Sequence, residues 1–193
     1  MQRILEGASL PPLPNGAVVT IGTFDGVHRG HQQVLAELRR LADELACPAV
    51  VVTFDRHPAS VVRPETAPRL LTAPAQRFEL LDAAGVDYAH VLRFDEERSL
   101  ESPEEFVREI VVGTWHARLA VEGEDFHFGH RRRGHLTTLE ETGARWGFKV
   151  ASVPTLIDEV SGVAVSSEAI RHALHNADHA RIVTKTSSAD KRS

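Results

Sequence analysis

Two histidines three residues apart, His28 and His31 with Gly30 between them, are the side chains best placed for chemistry. Apolar residues recur after them at Val34, Leu35, Leu38, Leu41 and Leu45, which is helical spacing. Before them runs Val18-Val19-Thr20-Ile21, an apolar β-branched stretch of the kind that forms a buried strand. Gly22 and Gly26 allow a tight turn between strand and helix. A helix start offers free backbone amides and the positive end of its dipole, which suits phosphate. Imidazole donors placed there can follow negative charge as it moves during reaction. The stretch reads as a nucleotide-phosphate site; the alternative is that both histidines only cap and cover the helix start.

Three further segments with unusual side chains also follow apolar runs. Asp55 to Pro68 follows Ala49–Phe54 and carries His57 and Pro58; Gly123 to His135 follows Ala117–Val121 and carries Asp125, Phe126, Phe128 and the run Arg131 to Arg133. Val165 to Arg171 opens a late helix with Ser166 and Ser167, which supply a capping oxygen and amides to phosphate, while Arg171 adds a cation one turn in. In an open parallel sheet, ligands bind at the carboxyl ends of the strands near the point where strand order reverses, so these segments converge on one composite site. The arginine run reads equally as a phosphate-gripping flap or a solvated loop. His172, His175 and His179 fall on neighbouring helical turns, but without a companion cysteine or carboxylate cluster they read as a solvated face rather than a metal site.

The string GTFDGVHRGH at 22–31 resembles the HxGH motif of the nucleotidylyltransferase superfamily and, more narrowly, the FMN adenylyltransferase module of prokaryotic FAD synthetases. TFDRHP (53–58), GEDFHFG (123–129) and VSSEAIR (165–171) are similar to further segments of that family, so the likeness runs from about Val18 to Leu174. The resemblance implies an α/β, Rossmann-like open parallel sheet with helices on both faces. It also implies adenylyl transfer from ATP to FMN, giving FAD and pyrophosphate, with no protein nucleophile. On that reading His28 and His31 face the triphosphate and the transition-state charge, with Ser166, Ser167 and Arg171 on the β- and γ-phosphates. Gly22, Thr23, Phe24, Gly30 and Asp125 bind the rest of ATP. Phe54, His57, Pro58 and Phe128 lie on the flavin side, the two aromatics Phe126 and Phe128 being read chiefly as packing. Magnesium arrives with ATP, and no metal site of the protein's own is expected.

Four positions depart from the family pattern: Arg56 where proline is usual, Ala164 where a basic residue is usual, Glu168 where threonine or serine is usual, and His135 where Asp or Asn is common. They leave open transfer to a different phosphorylated acceptor or flavin analogue, or a nucleotide- or flavin-binding protein impaired in catalysis. The riboflavin kinase domain that accompanies this module in the family is expected to be absent.

These side chains need a scaffold, and the chain reads as one. Strands are expected at 18–21, 49–54, 88–92, 117–121 and 149–153. Helices are expected from about His28 to Glu44, Pro74 to Ala84, Ser102 through Val111, Thr137 to Trp146, and Ser166 to Leu174. Residues 1–16, with Pro11, Pro12 and Pro14, read as an extended lead-in, and 157–165 as a small hairpin or extended excursion. One domain is expected over 1–178, with 179–193 as a fraying tail.

The 193 residues are 42% hydrophobic and 25% charged, ordinary for a soluble globular protein. A net charge of −5 gives no reason to expect nucleic-acid binding. A single cysteine, Cys47, excludes intramolecular disulfides and suits a reducing compartment; with no apolar run of membrane-spanning length and no signal-peptide core, a cytoplasmic location is expected. Composition does not address the oligomeric state.

Overall fold

Continuous apolar runs form parallel strands covered on both faces, and the computed structural model, which describes residues 1–177, has this arrangement. In chain order the elements are β1 (Gln2–Leu5), β2 (Ala17–Ile21), α1 (Arg29–Leu45), β3 (Ala49–Phe54), α2 (Ala59–Val62), α3 (Pro74–Ala83) and β4 (Tyr88–Leu92). They continue with α4 (Glu96–Leu100), α5 (Pro103–Phe106), β5 (Ala117–Gly123), β6 (His127–Phe128), β7 (Gly134–His135), α6 (Leu136–Trp146) and β8 (Lys149–Val153). Residues 167–177 form a last helix, α7. The expected tail and His179 lie outside the described residues.

Six strands form one sheet in the order β1-β4-β3-β2-β5-β8, with every pairing parallel. β2, β3, β4, β5 and β8 stand where the apolar runs put them. β1 is additional: the lead-in begins as an edge strand paired with β4, and only Ile4 of its four side chains is buried, so it carries almost no pattern. Successive residues of β2 serve opposite faces. Val18 packs with Leu35, Leu38 and Leu81 of α1 and α3, whereas Val19 packs with Phe106, Val107, Ile110 and Trp115.

The helix expected after Ser102 starts with a capping box between Ser102 and Glu105 and then widens into π-helical turns over Val107–Thr114. α2 and α4 are single-turn helices in segments where the sequence shows no helical spacing. Residues 157–165 make the small hairpin-like excursion, with an antiparallel bridge between Ile157 and Ala164.

The entry to β2 is sterically tight. Gly16 has φ +70°, and a Cβ there would stand 2.3 Å from the His116 carbonyl oxygen. We expect Gly16→Ala to lower stability by about 2–3 kcal/mol, read as a lower urea midpoint at unchanged slope.

Candidate active site

The sheet's strand order reverses between β2 and β5, and there the ladder stops early. β2 and β5 pair only as far as Val19↔Ala120. Beyond it β2 stays with β3 through Ile21↔Val52, and β5 stays with β8 through Gly123↔Val153. The strands part, and a cavity of about 920 Å³ opens over their carboxyl ends, near the upper end of the usual range for ligand sites.

β2 leads into the turn Gly22 to His28. Phe24 and Val27 sit there at φ 49° and 37°, left-handed conformations costly for non-glycine residues that occur where surrounding contacts enforce them. His28 is the N-cap of α1: its backbone is extended and its Nδ1 accepts the His31 amide at 3.3 Å. The first amides of a helix have no partner within it, so those of Arg29 and Gly30 remain for a ligand. Gly30 permits close approach, since a Cβ would stand 3.3 Å from the His28 ring and from the Val165 carbonyl oxygen.

The His28 and His31 rings stack, centroids 3.6 Å apart at 20°. Burial pushes the His31 imidazole down to about 3, with His28 adding to the shift. Burial lowers His28 as well, opposed by the Asp125 and Asp25 carboxylates. Both rings are therefore neutral near pH 7, each with one N–H to donate. His31 Nδ1 is buried without a protein hydrogen-bond partner.

Residues singled out from the sequence gather round this cavity. Gly22, Thr23, Phe24 and Gly30 join His28 and His31 on its wall; β3 and the loop after it add Phe54, His57 and Pro58. His57 is half-buried, its Nδ1 accepting the Ala59 amide at 3.1 Å, and its imidazole is lowered by burial and by Arg171. The segment after β5 contributes Asp125 and Phe128, with Phe126 stacked on Phe128 at 5.1 Å and Phe128 in the core. Arg131 and Arg132 also line the cavity, at φ 55° and 58°. Ser166 and Ser167 complete the wall, Ser166 capping α7 by accepting the Ala169 amide at 3.1 Å.

Arg171 does not line the cavity. Its Nη2 donates to Asp25 Oδ2 at 2.6 Å and its Nε to the Arg69 carbonyl at 2.8 Å. These bonds tie α7 to the nucleotide-binding turn and to the loop at Arg69.

Asp25, buried, is the hub that the sequence did not mark. It accepts the Leu71 amide at 2.9 Å and the Thr72 amide at 3.1 Å, while its backbone carbonyl accepts the Ser167 hydroxyl at 2.8 Å. One carboxylate thus ties the phosphate turn to residues 71–72 and to α7. Arg77 is a second unmarked anchor: buried on α3, it donates to the carbonyls of Thr23 and Phe54, both at 2.9 Å, and so joins the ends of β2 and β3.

The four family departures stand away from the cavity wall. Arg56 is exposed and paired with Asp55; Ala164 bridges Ile157; Glu168 is exposed in a shallow depression with His172 and His175; His135 is exposed and edge-on to His127. Among the described residues, no group of three His, Cys, Asp or Glu could hold a metal ion, and no helix is long and apolar enough to cross a membrane.

A parallel sheet with its cavity at the strand-order reversal, and a histidine pair at the head of the first long helix, define a nucleotidylyltransferase-type α/β protein. Residues 10–169 match the family model for FAD synthetase. The chain is 41% identical over 178 residues to a bifunctional riboflavin kinase/FMN adenylyltransferase of Pseudomonas fluorescens, covering 92% of this chain and 56% of that protein. It is 34% identical over 159 residues to the protein of the same description in Escherichia coli K12, covering 82% and 50%. The chain belongs to the FAD synthetase family, and it spans about half the length of the curated relatives it matches.

Among solved structures, that of a macrolide-efflux protein from Streptococcus pneumoniae matches with TM-score 0.75 and 26% identity, covering 90% of this chain and 57% of that one. A pantoate-beta-alanine ligase from Francisella tularensis, at 16% identity and TM-score 0.52 over 80% of this chain and 64% of that one, shares the fold.

Proposed function

We propose that this chain transfers the adenylyl group of ATP to FMN, releasing pyrophosphate and forming FAD. The observation that carries the reading is the neutral His28–His31 stack at the head of α1, on the wall of the cavity at the sheet's switch point. Family membership, and the activity named for the relatives, support it. So does the position of the four departures, none of which lines the cavity.

In this mechanism an oxygen of the FMN phosphate attacks the α-phosphorus of ATP in line. The bond to the bridging oxygen breaks and pyrophosphate leaves. An FMN phosphate is already ionised near neutral pH, so no protein base is needed. Catalysis is positioning plus stabilisation of charge on the equatorial and leaving oxygens. Ring N–H donors of His28 and His31 and the amides of Arg29 and Gly30 supply that stabilisation. Ser166 and Ser167 bind from the head of α7, while Arg171 acts through Asp25 by fixing the turn. Thr23 and Phe24 hold the adenosine side, and Phe54, His57, Pro58 and Phe128 form the flavin side. Magnesium bound with ATP would neutralise charge on its phosphates, and the exposed carboxylate of Asp125, close enough to act on His28, would be the hard oxygen donor to hold it.

The neutral histidines predict a proton linkage. A bound polyanion favours the imidazolium and raises the His28 pKa from its depressed free-state position, while His31, pushed down to about 3, stays neutral. Magnesium-ATP binding is therefore expected to take up protons and to tighten as pH falls from 8 to 6. Calorimetry in buffers of different ionisation enthalpy measures the uptake; no uptake, or the same uptake in His28→Ala, contradicts the assignment.

Specificity tests the reading itself. ATP is expected to react and CTP not, and riboflavin, which lacks the attacking phosphate, should give no product. Turnover with another phosphorylated acceptor but not FMN would favour a different substrate. Tight ATP or FMN binding without pyrophosphate release would mark a binding protein.

A further inference from the structure

Glu122 is a buried carboxyl set where the sheet opens, 2% exposed yet touching the cavity. The β2–β5 ladder has ended by this point, so the Ile21 amide faces the gap without a strand carbonyl opposite. It donates instead to Glu122 Oε1 at 2.7 Å. The next residue, Gly22, bonds back to the Val52 carbonyl at 3.0 Å and begins the turn to His28. We propose that Glu122 is a positioning residue: its carboxyl holds the ends of β2 and β5 parted and fixes the Ile21–Gly22 backbone from which the nucleotide-binding turn departs. Its consequence for catalysis rests on the adenylyl-transfer reading above.

The site suits an uncharged acid. Burial pushes the Glu122 carboxyl well above the usual carboxylate range, and only its hydrogen bonds oppose the shift. β2 presents Thr20 and Ile21 to it, and β8 pairs Ser152 opposite with Val153 beyond; none of these titrates. The Asp25 and Asp125 carboxylates act on the histidines, and among the described residues no charged group acts on Glu122. A neutral carboxyl accepts with one oxygen and donates with the other, and glutamine reproduces that pattern.

The test uses the full chain with E122Q and E122L. Three quantities are read: magnesium-ATP affinity by calorimetry from pH 6 to 9, KM and kcat for FAD formation, and exchange of the Ile21 amide by NMR. E122Q is expected to keep ATP affinity and KM within about twofold and to keep the amide protected. E122L should weaken ATP binding and raise its KM at least about tenfold, with the amide exchanging at least about tenfold faster. Above pH 8, beyond the histidine-linked change, the native chain should lose further ATP affinity as Glu122 ionises, and E122Q should not.

E122L indistinguishable from the native chain, or E122Q as impaired as E122L, overturns the proposal. Should E122L fail to fold, E122Q and the pH series decide: a loss above pH 8 identical in E122Q overturns it. Loss of ATP affinity and amide protection in E122L, in a native chain that makes no FAD, would leave Glu122 in place and remove the adenylyl-transfer reading. FAD formed equally by all three chains would do the reverse.

Discussion

Replacing His31 by alanine is expected to lower the turnover of FAD formation by about 10²–10³-fold, as loss of a preorganised donor to transition-state charge does elsewhere. His28→Ala should fall in the same range, and the double variant should lose much less than the product of the two, because stacked rings 3.6 Å apart act on one ligand as a unit. Folding should survive. The His28 ring contributes one long capping bond of 3.3 Å, and His31, though its imidazole is largely enclosed, keeps some surface on the cavity wall. A cap is worth about 1 kcal/mol. Steady-state kinetics beside thermal unfolding separates the two effects. Near-normal turnover in both single variants would remove the histidines from the mechanism, whereas collapse of the fold would make them structural.

Asp25→Ala should act in the opposite proportion, on stability first. The Asp25 side chain is 3% exposed and pairs with an Arg171 side chain that is 20% exposed. It also takes the amides of Leu71 and Thr72. Removing it strands a half-buried guanidinium and two amides together. Breaking a buried pair costs about 3–5 kcal/mol, which for a chain of this size corresponds to roughly 6–20 °C in Tm. Asp25→Asn, which keeps an accepting oxygen, should recover part of the loss. Activity should fall with Asp25→Ala as well, because the turn that carries His28 is tied at Asp25 to residues 71–72 and to α7. An unfolding midpoint within 2 °C of the native chain would show that the turn holds itself.

The contrast between these residues explains what the sequence could and could not disclose. His28, Gly30 and His31 are legible because strand, turn and helix are contiguous and each has its own local pattern. The same holds for Ser166 and Ser167 at the head of α7. Asp25, Arg77 and Glu122 carry no such pattern, although Asp25 lies inside the motif itself. Their roles depend on partners far away in the chain. Asp25 meets Leu71 across 46 residues and Arg171 across 146, Arg77 meets Thr23 across 54, and Glu122 meets Ile21 across 101. No local window contains such pairs. Arg171 is similar: one turn inside a helix start, it reads as a phosphate ligand, and its pairing with Asp25 has no local sign in the sequence.

The sheet was legible in five strands of six because buried parallel strands are continuous apolar runs. β1 was not, since a four-residue edge strand with one buried side chain has no period to detect. α2 and α4, a single turn each, are likewise shorter than the window in which helical spacing shows. The early end of the β2–β5 ladder, which makes the cavity, depends on the side chain of Glu122 rather than on any strand propensity.

The central claim is that this chain moves an adenylyl group onto FMN. The direct measurement is incubation of the purified chain with ATP labelled at the α-phosphate, magnesium and FMN, followed by chromatography of the flavins. Label in FAD, with pyrophosphate formed in equal amount, is the predicted result. Unlabelled FMN and intact ATP, under conditions where ATP is bound, would contradict it.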